Sequence, residues 1–179
     1  MRFTAPLFVT AALLFFVSCA ATESTTDPDE TETAETEHVE RVAPDWFDSG
    51  VNSVMDNAEF HGFSHAIGTD RAEASGLSRQ MALTNLRFEI DRYAERVRSH
   101  LEGEAGSDPY ATSRFIISLR NAIQDMDLSG LDDQTEFHDD GAVDSFTRVM
   151  ISLDEAADKL AAKLDDRRFI DAFKNLAVE

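Results

Sequence analysis

The hydrophobic positions of this chain follow a helical period in two long segments. Between residues 70 and 102 the apolar residues recur at three- and four-residue steps: Leu83, Leu86, Ile90, Tyr93, Val97 and Leu101. This period repeats one face of a helix, so the pattern predicts a long helix over 70–102. Asp70 and Glu73 supply a capping-box signal at its start. A second amphipathic pattern predicts a helix over about 111–127.

Shorter segments alternate between apolar and small or polar residues, which indicates strands. They cover residues 60–68, 131–138 and 143–153. The last two are separated by Asp139-Asp140-Gly141, a sequence typical of a hairpin turn. In the first, His61 and His65 share one parity, and the other parity holds mostly small residues. Residues 48–58 are mixed and polar and indicate at most a short helical turn.

The final segment predicts a helix and completes the fold class. Ser152 and Glu155 form a capping box, and residues 165–168 are expected to bend the helix or split it in two. The predicted order is β-α-α-β-β-α. This order indicates an α+β domain in which a small antiparallel sheet of about three strands carries helices on one face.

An apolar run at the N-terminus leads to the only cysteine. Arg2 precedes the run 7–17, and Ser18 stands directly before Cys19. The run is about half of the ~20 residues that a membrane-spanning helix needs, as in a secretory signal peptide. A cysteine after the cleavage site resembles the bacterial lipobox, although Phe16 stands where that pattern usually has Leu. The sequence predicts a signal peptide over 1–18 and lipidation of Cys19; an ordinary signal peptide with an incidental cysteine is the alternative.

Residues 19–43 differ in composition from the rest of the chain. The stretch 21–37 is rich in Glu, Thr and Asp and has no large apolar residue, so it cannot contribute to a core. Its like charges favour an extended chain. We therefore predict a lipidated, disordered acidic tether over 19–43, followed by a single domain over 44–179, a length that suits one domain.

The formal net charge of −19 narrows the classes of partner. Nucleic-acid binding and a polybasic grip on anionic lipids both need clustered Lys and Arg, so we expect neither. Attachment to a membrane would depend on acyl chains at Cys19, and two or more such chains anchor a protein stably. Ala20 stands where Asp usually signals retention in the inner membrane. We therefore expect sorting to the outer membrane, with the domain facing the periplasm.

Several segments of the chain resemble the Lpp-twenty family of small bacterial outer-membrane lipoproteins. They are the Pro-Asp-Trp start at 44–46, the strand ending in Gly68, the Ala-rich helix from Thr69 and the hairpin over 137–153. The resemblance covers about residues 44–165, and the same module is similar to the N-terminal domain of a flagellar outer-membrane collar protein. It implies a lipid-anchored envelope protein without known catalysis. His65 departs from the family pattern, which usually has a small or apolar residue there.

Three side chains near the start of the domain are candidate ligand contacts: Trp46, His61 and His65. Trp46 is the only tryptophan, and a large aromatic residue after a linker usually pins the first segment to the core. Stacking against a ligand is the alternative. His61 and His65 have zinc-ligand spacing for a helix, but on a strand they would lie about 13 Å apart. We therefore predict two polar or partly buried histidines that share no metal.

No pattern in the sequence indicates catalysis. The chain has neither a Gly-x-Ser-x-Gly elbow nor a phosphate-binding loop, and Cys19 leaves no second thiol for a disulfide or a zinc site. The acidic residues at 132–133 and 138–140 offer oxygens that calcium prefers, but the hairpin turn already accounts for the second group. We predict that the protein is not an enzyme and needs no cofactor and no metal.

The function that the sequence favours is a structural or protein-interaction module of the cell envelope. The main alternative is a ligand- or ion-binding receptor domain that uses a cleft between helix and sheet, near Trp46 and His65. A third hypothesis is assembly into an oligomer through the second helix, for which Phe115, Ile116 and Leu119 would form an exposed apolar stripe.

Overall fold

The computed structural model of the protein describes residues 43–105 and 109–176. Over these residues the fold is α+β, with a four-stranded antiparallel sheet and four helices. In chain order the elements are β1 (Ser53–Asp56), β2 (Glu59–Gly68), α1 (Arg71–Ala105), α2 (Ser113–Gln124), β3 (Asp133–Asp140), β4 (Ala142–Ser152), α3 (Leu153–Ala161) and α4 (Arg167–Asn175).

The strands lie in the order β1-β2-β4-β3, with the two long strands in the centre. β2 and β4 pair over their whole common length, from Glu59 opposite Ser152 to Gly68 opposite Val143. β3 and β4 form the predicted hairpin, in which Gly141 has a φ of +76°. Glycine adopts a positive φ without steric penalty, which is why the Asp-Asp-Gly sequence turns here.

All helices pack on one side of the sheet, around α1. Phe60 of β2 contacts Tyr93 of α1 and Phe173 of α4, and these rings are fully buried. α2 adds Leu119 and Ile123 to the same core. The four helices therefore bury one face of the sheet and leave the opposite face, here called the outer face, to other residues.

α1 approaches the sheet closely because β2 presents small residues to it. A Cβ added to Gly62 would lie 2.2 Å from the Ala82 carbonyl oxygen and 2.6 Å from the Leu86 nitrogen. Beyond Gly62, the buried Ser64 hydroxyl donates to the Ser78 carbonyl oxygen at 2.8 Å. The Ser78 hydroxyl in turn lies within hydrogen-bond distance of Ser145 and Thr147 of β4. The helix–sheet interface is therefore filled by backbone and short hydroxyl side chains.

The predicted α+β fold with a small antiparallel sheet is confirmed. The sheet has four strands, where the sequence indicated about three. The expected helical turn over 48–58 is wrong, because residues 53–56 form β1. The β1–β2 turn consists of Asn57 and Ala58, both with a positive φ. Such a turn normally announces itself as Asn-Gly or Asp-Gly, so an alanine in the glycine position concealed the hairpin.

Two helices begin directly after the predicted caps, Asp70 for α1 and Ser152 for α3, where the Glu155 amide donates to Ser152 Oγ at 3.2 Å. At α1 the Glu73 amide donates to Asp70 Oδ1, and the Glu73 carboxylate accepts from the Thr69 amide, one residue before the Asp70 cap. The last helix is split, and Asp166 caps the second part through the Phe169 amide. Within the described residues, no helix combines the length and apolarity that crossing a membrane requires.

Candidate functional site

Trp46, His61 and His65 all belong to the outer face of the sheet. His61, Phe63 and His65 alternate along β2 with the residues that face α1, and Trp46 lies over Phe63 with ring centroids 6.5 Å apart. The sequence reasoning placed a ligand cleft near Trp46 and His65 between helix and sheet. That location is wrong, because these side chains lie on the side of the sheet opposite α1.

Trp46 fixes the segment that enters the domain. Its Nε1 donates to Glu136 Oε1 at 2.6 Å, and Gln134 Nε2 donates to the same oxygen at 3.1 Å. Arg148 lies over the indole ring at 5.6 Å from the centroid and donates from Nη2 to Gln134 Oε1 at 2.6 Å. These contacts form a closed polar network across β3 and β4. Trp46 therefore pins the first segment of the domain to the outer face of the sheet and not, as the sequence predicted, to the core.

His65 forms a close polar pair with Asp144 of β4. Its Nε2 lies 2.6 Å from Asp144 Oδ1, and the Asp144 side chain is only 3% exposed. The His65 ring also stacks on Phe146 at 4.5 Å, and Phe47 packs edge-on against Phe146 at 5.0 Å. A buried carboxylate is costly unless it has a hydrogen-bonding or charged partner, and the His65 ring provides one for Asp144. The sequence identified His65 but gave no sign of Asp144 as its partner.

His61 lies further along β2 in a separate environment. Its side chain is 13% exposed, and its Nε2 lies 3.7 Å from Glu59 Oε2. Burial lowers the pKa of His61, and Arg148 lowers it further, while Glu59 and Asp56 act in the opposite direction. The structure therefore keeps His61 and His65 in distinct contacts.

The strap of residues 43–50 leaves two hollows beside it on the outer face. One, of about 450 Å³, is lined by Phe47, His65 and Phe146. The other, of about 290 Å³, is lined by Pro44, Glu136 and His138 among others. Both are open to solvent, and the larger one has the volume of a small-ligand site and adjoins His65.

The acidic residues around the β3–β4 hairpin form ion pairs with α1. Arg79 Nε donates to Asp133 Oδ1 at 2.9 Å, and Arg71 donates to Asp139 Oδ2. Between residues 43 and 105 and between 109 and 176, no three potential ligands converge on a metal position. The hairpin carboxylates therefore join β3 to α1.

A row of exposed apolar residues lies on α1, whereas the sequence indicated one on α2. Leu119 is only 2% exposed, so the expected stripe on α2 is wrong. Instead, Leu77, Met81 and Phe88 of α1 are 44%, 50% and 62% exposed. At spacings of four and seven residues they share one helix face, and we call them the α1 stripe. The strong core periodicity of α1 concealed this second row, although the same spacing could have revealed it.

Two sequence predictions concern residues outside the described part of the chain: the signal peptide over 1–18 and the tether with Cys19.

Comparison with known proteins identifies no relative of this chain. No family model, no curated protein and no solved structure matches the chain. The class that fold and surface define is a small α+β domain with helices on one sheet face and an aromatic strap on the other. The resemblance to the Lpp-twenty family stays a prediction.

Proposed function

We propose that this protein is a lipid-anchored module of the cell envelope that binds a protein partner and performs no catalysis. The α1 stripe carries the proposal. Leu77, Met81 and Phe88 place three large apolar side chains in water on one helix face. Large apolar side chains gathered on one exposed face mark interaction sites more often than scattered exposed residues do.

The N-terminal sequence supports the membrane anchor. The lipobox-like residues around Cys19 would supply acyl chains, and the acidic stretch 21–37 would serve as a spacer. By the scaling of flexible chains, a segment of that length would span about 21–25 Å, and repulsion between its like charges would lengthen it. Trp46 fixes the strap of residues 43–50 to the outer face, on the side of the sheet opposite the α1 stripe.

Substitution within the α1 stripe tests the interaction. We expect Phe88→Glu to reduce cross-linking of the protein to its envelope partner by about tenfold or more, because a buried unpaired carboxylate weakens an interface strongly. Ile117→Glu on α2 is the matched control, since Ile117 is 59% exposed and lies outside the stripe. Equal cross-linking yields from both variants and the wild type would refute a role for the stripe.

Removal of the thiol tests the anchor independently. We expect Cys19→Ser to move the protein from the membrane fraction to the soluble fraction, because no acyl chain can then be attached. Thr22→Ala, three residues away, is the control and should remain in the membrane fraction. A Cys19→Ser protein that stays with the outer membrane would contradict the lipoprotein assignment.

A ligand- or ion-binding receptor domain is the second candidate, favoured by the 450 Å³ hollow beside Phe47 and His65. Trp46 packs on Phe47 at 6.1 Å between ring centroids and is the only tryptophan, so its fluorescence would report binding there. A saturable change in that fluorescence with a small molecule, lost in His65→Ala, would support this function. A flat response across a metabolite and ion panel would count against it.

A further inference from the structure

β2 has an open edge beyond the end of β1. β1 pairs only with Glu59–Gly62, and the Phe63 amide donates to the Asn52 carbonyl oxygen at 2.8 Å. Backbone groups alternate in direction along an antiparallel strand, so His65 and Ile67 direct their amides and carbonyls to the same side as Phe63. On that side no strand among the described residues pairs with the remainder of β2.

The α1 stripe stands directly above this open edge. Asn85 Nδ2 donates to the Phe63 carbonyl oxygen at 2.8 Å, which places that face of α1 over the β1 side of β2. Met81 and Leu77 lie one and two turns before Asn85 on the same face, at steps of about 6 Å. His65 and Ile67 follow Phe63 at steps of about 6.6 Å. Because α1 runs antiparallel to β2, Met81 lies level with His65 and Leu77 level with Ile67.

From this juxtaposition we propose that the open edge of β2 accepts an extended segment of the partner as an additional strand. The proposal deepens the proposed function and rests on it. The backbone of His65 and Ile67 would supply the strand hydrogen bonds, and every second side chain of the added strand would face Met81 and Leu77. These two side chains offer apolar contacts about 6 Å apart, which matches the spacing of alternate residues in a strand.

The charge of the chain defines the partner segment further. With a net charge of −19, the protein repels a second copy of itself and attracts a cationic chain. We therefore commit to a partner segment with apolar residues at two alternate positions and Lys or Arg at its ends. A second copy paired through the same edge is the competing outcome.

A synthetic peptide with alternating Leu and Thr, flanked by Lys, tests the proposal with the full mature protein in detergent. We expect Ile67→Pro to weaken peptide binding by about tenfold, because proline removes the edge amide and blocks strand addition. Ile67→Thr keeps the amide and should bind within about twofold of wild type. Because the Ile67 amide faces away from β4, we expect Ile67→Pro to keep the hydrogen bonds between β2 and β4. The circular dichroism spectrum of the variant checks that the fold is retained.

A second variant keeps the test valid if Ile67→Pro fails to fold. Met81→Glu leaves the backbone unchanged and should also weaken peptide binding by about tenfold, while Ile117→Glu should not. Every second amide of an added strand faces β2. Methylation of that set of peptide amides should abolish binding, and methylation of the other set should not. A peptide that fails to bind wild type, or binds all variants equally, overturns strand addition. If the wild-type protein forms a dimer and Ile67→Pro abolishes the dimer, the edge of β2 pairs with a second copy, and the proposal of a partner segment is overturned. Loss of partner cross-linking in Phe88→Glu would still support the proposed function in either case.

Discussion

Ala58 adopts a conformation that disfavours its own side chain. Its φ is +61°, and with Asn57 at +49° it forms the tight turn between β1 and β2. The left-handed region costs a residue with a Cβ about 1 kcal/mol relative to glycine, because the Cβ crowds the following carbonyl oxygen. The Ala58 carbonyl also accepts a hydrogen bond from the Leu153 amide, so the turn is tied to the start of α3.

We expect Ala58→Gly to stabilise the domain by about 0.5–1 kcal/mol in urea unfolding, since relief of the strain exceeds the added entropy of the unfolded chain. Ala72→Gly is the control. Ala72 is exposed in the first turns of α1, where glycine should destabilise by up to about 1 kcal/mol. A loss of stability in Ala58→Gly of the same size as in Ala72→Gly would show that the turn carries no strain.

His61 should make stability depend on pH in a defined direction. Burial lowers its pKa below the ordinary value of 6.5, so at acid pH the unfolded chain binds more protons than the folded one. Stability from neutral His61 is therefore complete above 6.5 and is lost as the pH falls through 6.5 towards the lowered pKa. Unfolding of wild type and His61→Gln between about pH 8 and pH 5 measures this contribution.

We expect the advantage of wild type over His61→Gln to shrink as the pH falls. Taking the difference between the two proteins cancels the contribution of every group that the substitution leaves unaffected. An advantage that grows at acid pH would show that attraction of the charged ring to Glu59 outweighs its burial.

At the scale of elements, two glycines of β2, Gly62 and Gly68, allow α1 to pack closely on the strand, and Gly62 makes the closer approach. Gly62→Ala would place a Cβ 2.2 Å from the Ala82 carbonyl oxygen, and this backbone atom cannot move without shifting the helix. We expect a loss of about 3 kcal/mol in the free energy of unfolding. Gly76→Ala is the control on α1 itself, where an added Cβ meets nothing within 4 Å and should stabilise by about 0.5–1 kcal/mol. Equal effects from both substitutions would contradict close helix packing at Gly62.

Periodicity predicted the long elements because burial on one face imposes it. α1, α2 and β2 are regular over many residues, and Asp70, Ser152 and Asp166 all accept hydrogen bonds from the first turns of the helices they cap. β1 escaped prediction because four residues are too few to establish alternation, and its turn has alanine in place of glycine. Short elements depend on their partners more than on their own sequence.

The candidate site was predictable only in part, because its contacts also depend on which distant segments pack together. The strand parity of β2 put His61 and His65 on one face, which the structure confirms. Their separate surroundings come from residues more than 70 positions away, such as Asp144 and Arg148, and a single sequence does not encode which distant strand is the neighbour. The α1 stripe was missed for a different reason, because its four- and seven-residue spacing runs beside the stronger core periodicity of the same helix.

At the scale of the whole molecule, the acidic surface should set the response to salt. A net charge of −19 on 179 residues produces self-repulsion in the compact state. Ion pairs such as Arg79–Asp133 and Lys174–Asp158 offset part of it. The screening length falls from about 30 Å at 0.01 M to about 3 Å at 1 M, so added salt weakens long-range repulsion more than it weakens these close pairs.

We therefore expect NaCl to raise the thermal midpoint of the mature protein between about 0.01 M and 0.5 M, with most of the change below about 0.1 M, where screening grows fastest. Sodium chloride is preferable to sulfate, because sulfate also strengthens apolar burial and would raise the midpoint for another reason. Removal of the acidic stretch 21–37 is the matched comparison, since it lowers the negative charge without touching the domain. That shorter chain should show a smaller salt effect. A midpoint that falls with salt would show that the ion pairs between α1 and the β3–β4 hairpin contribute more than self-repulsion costs.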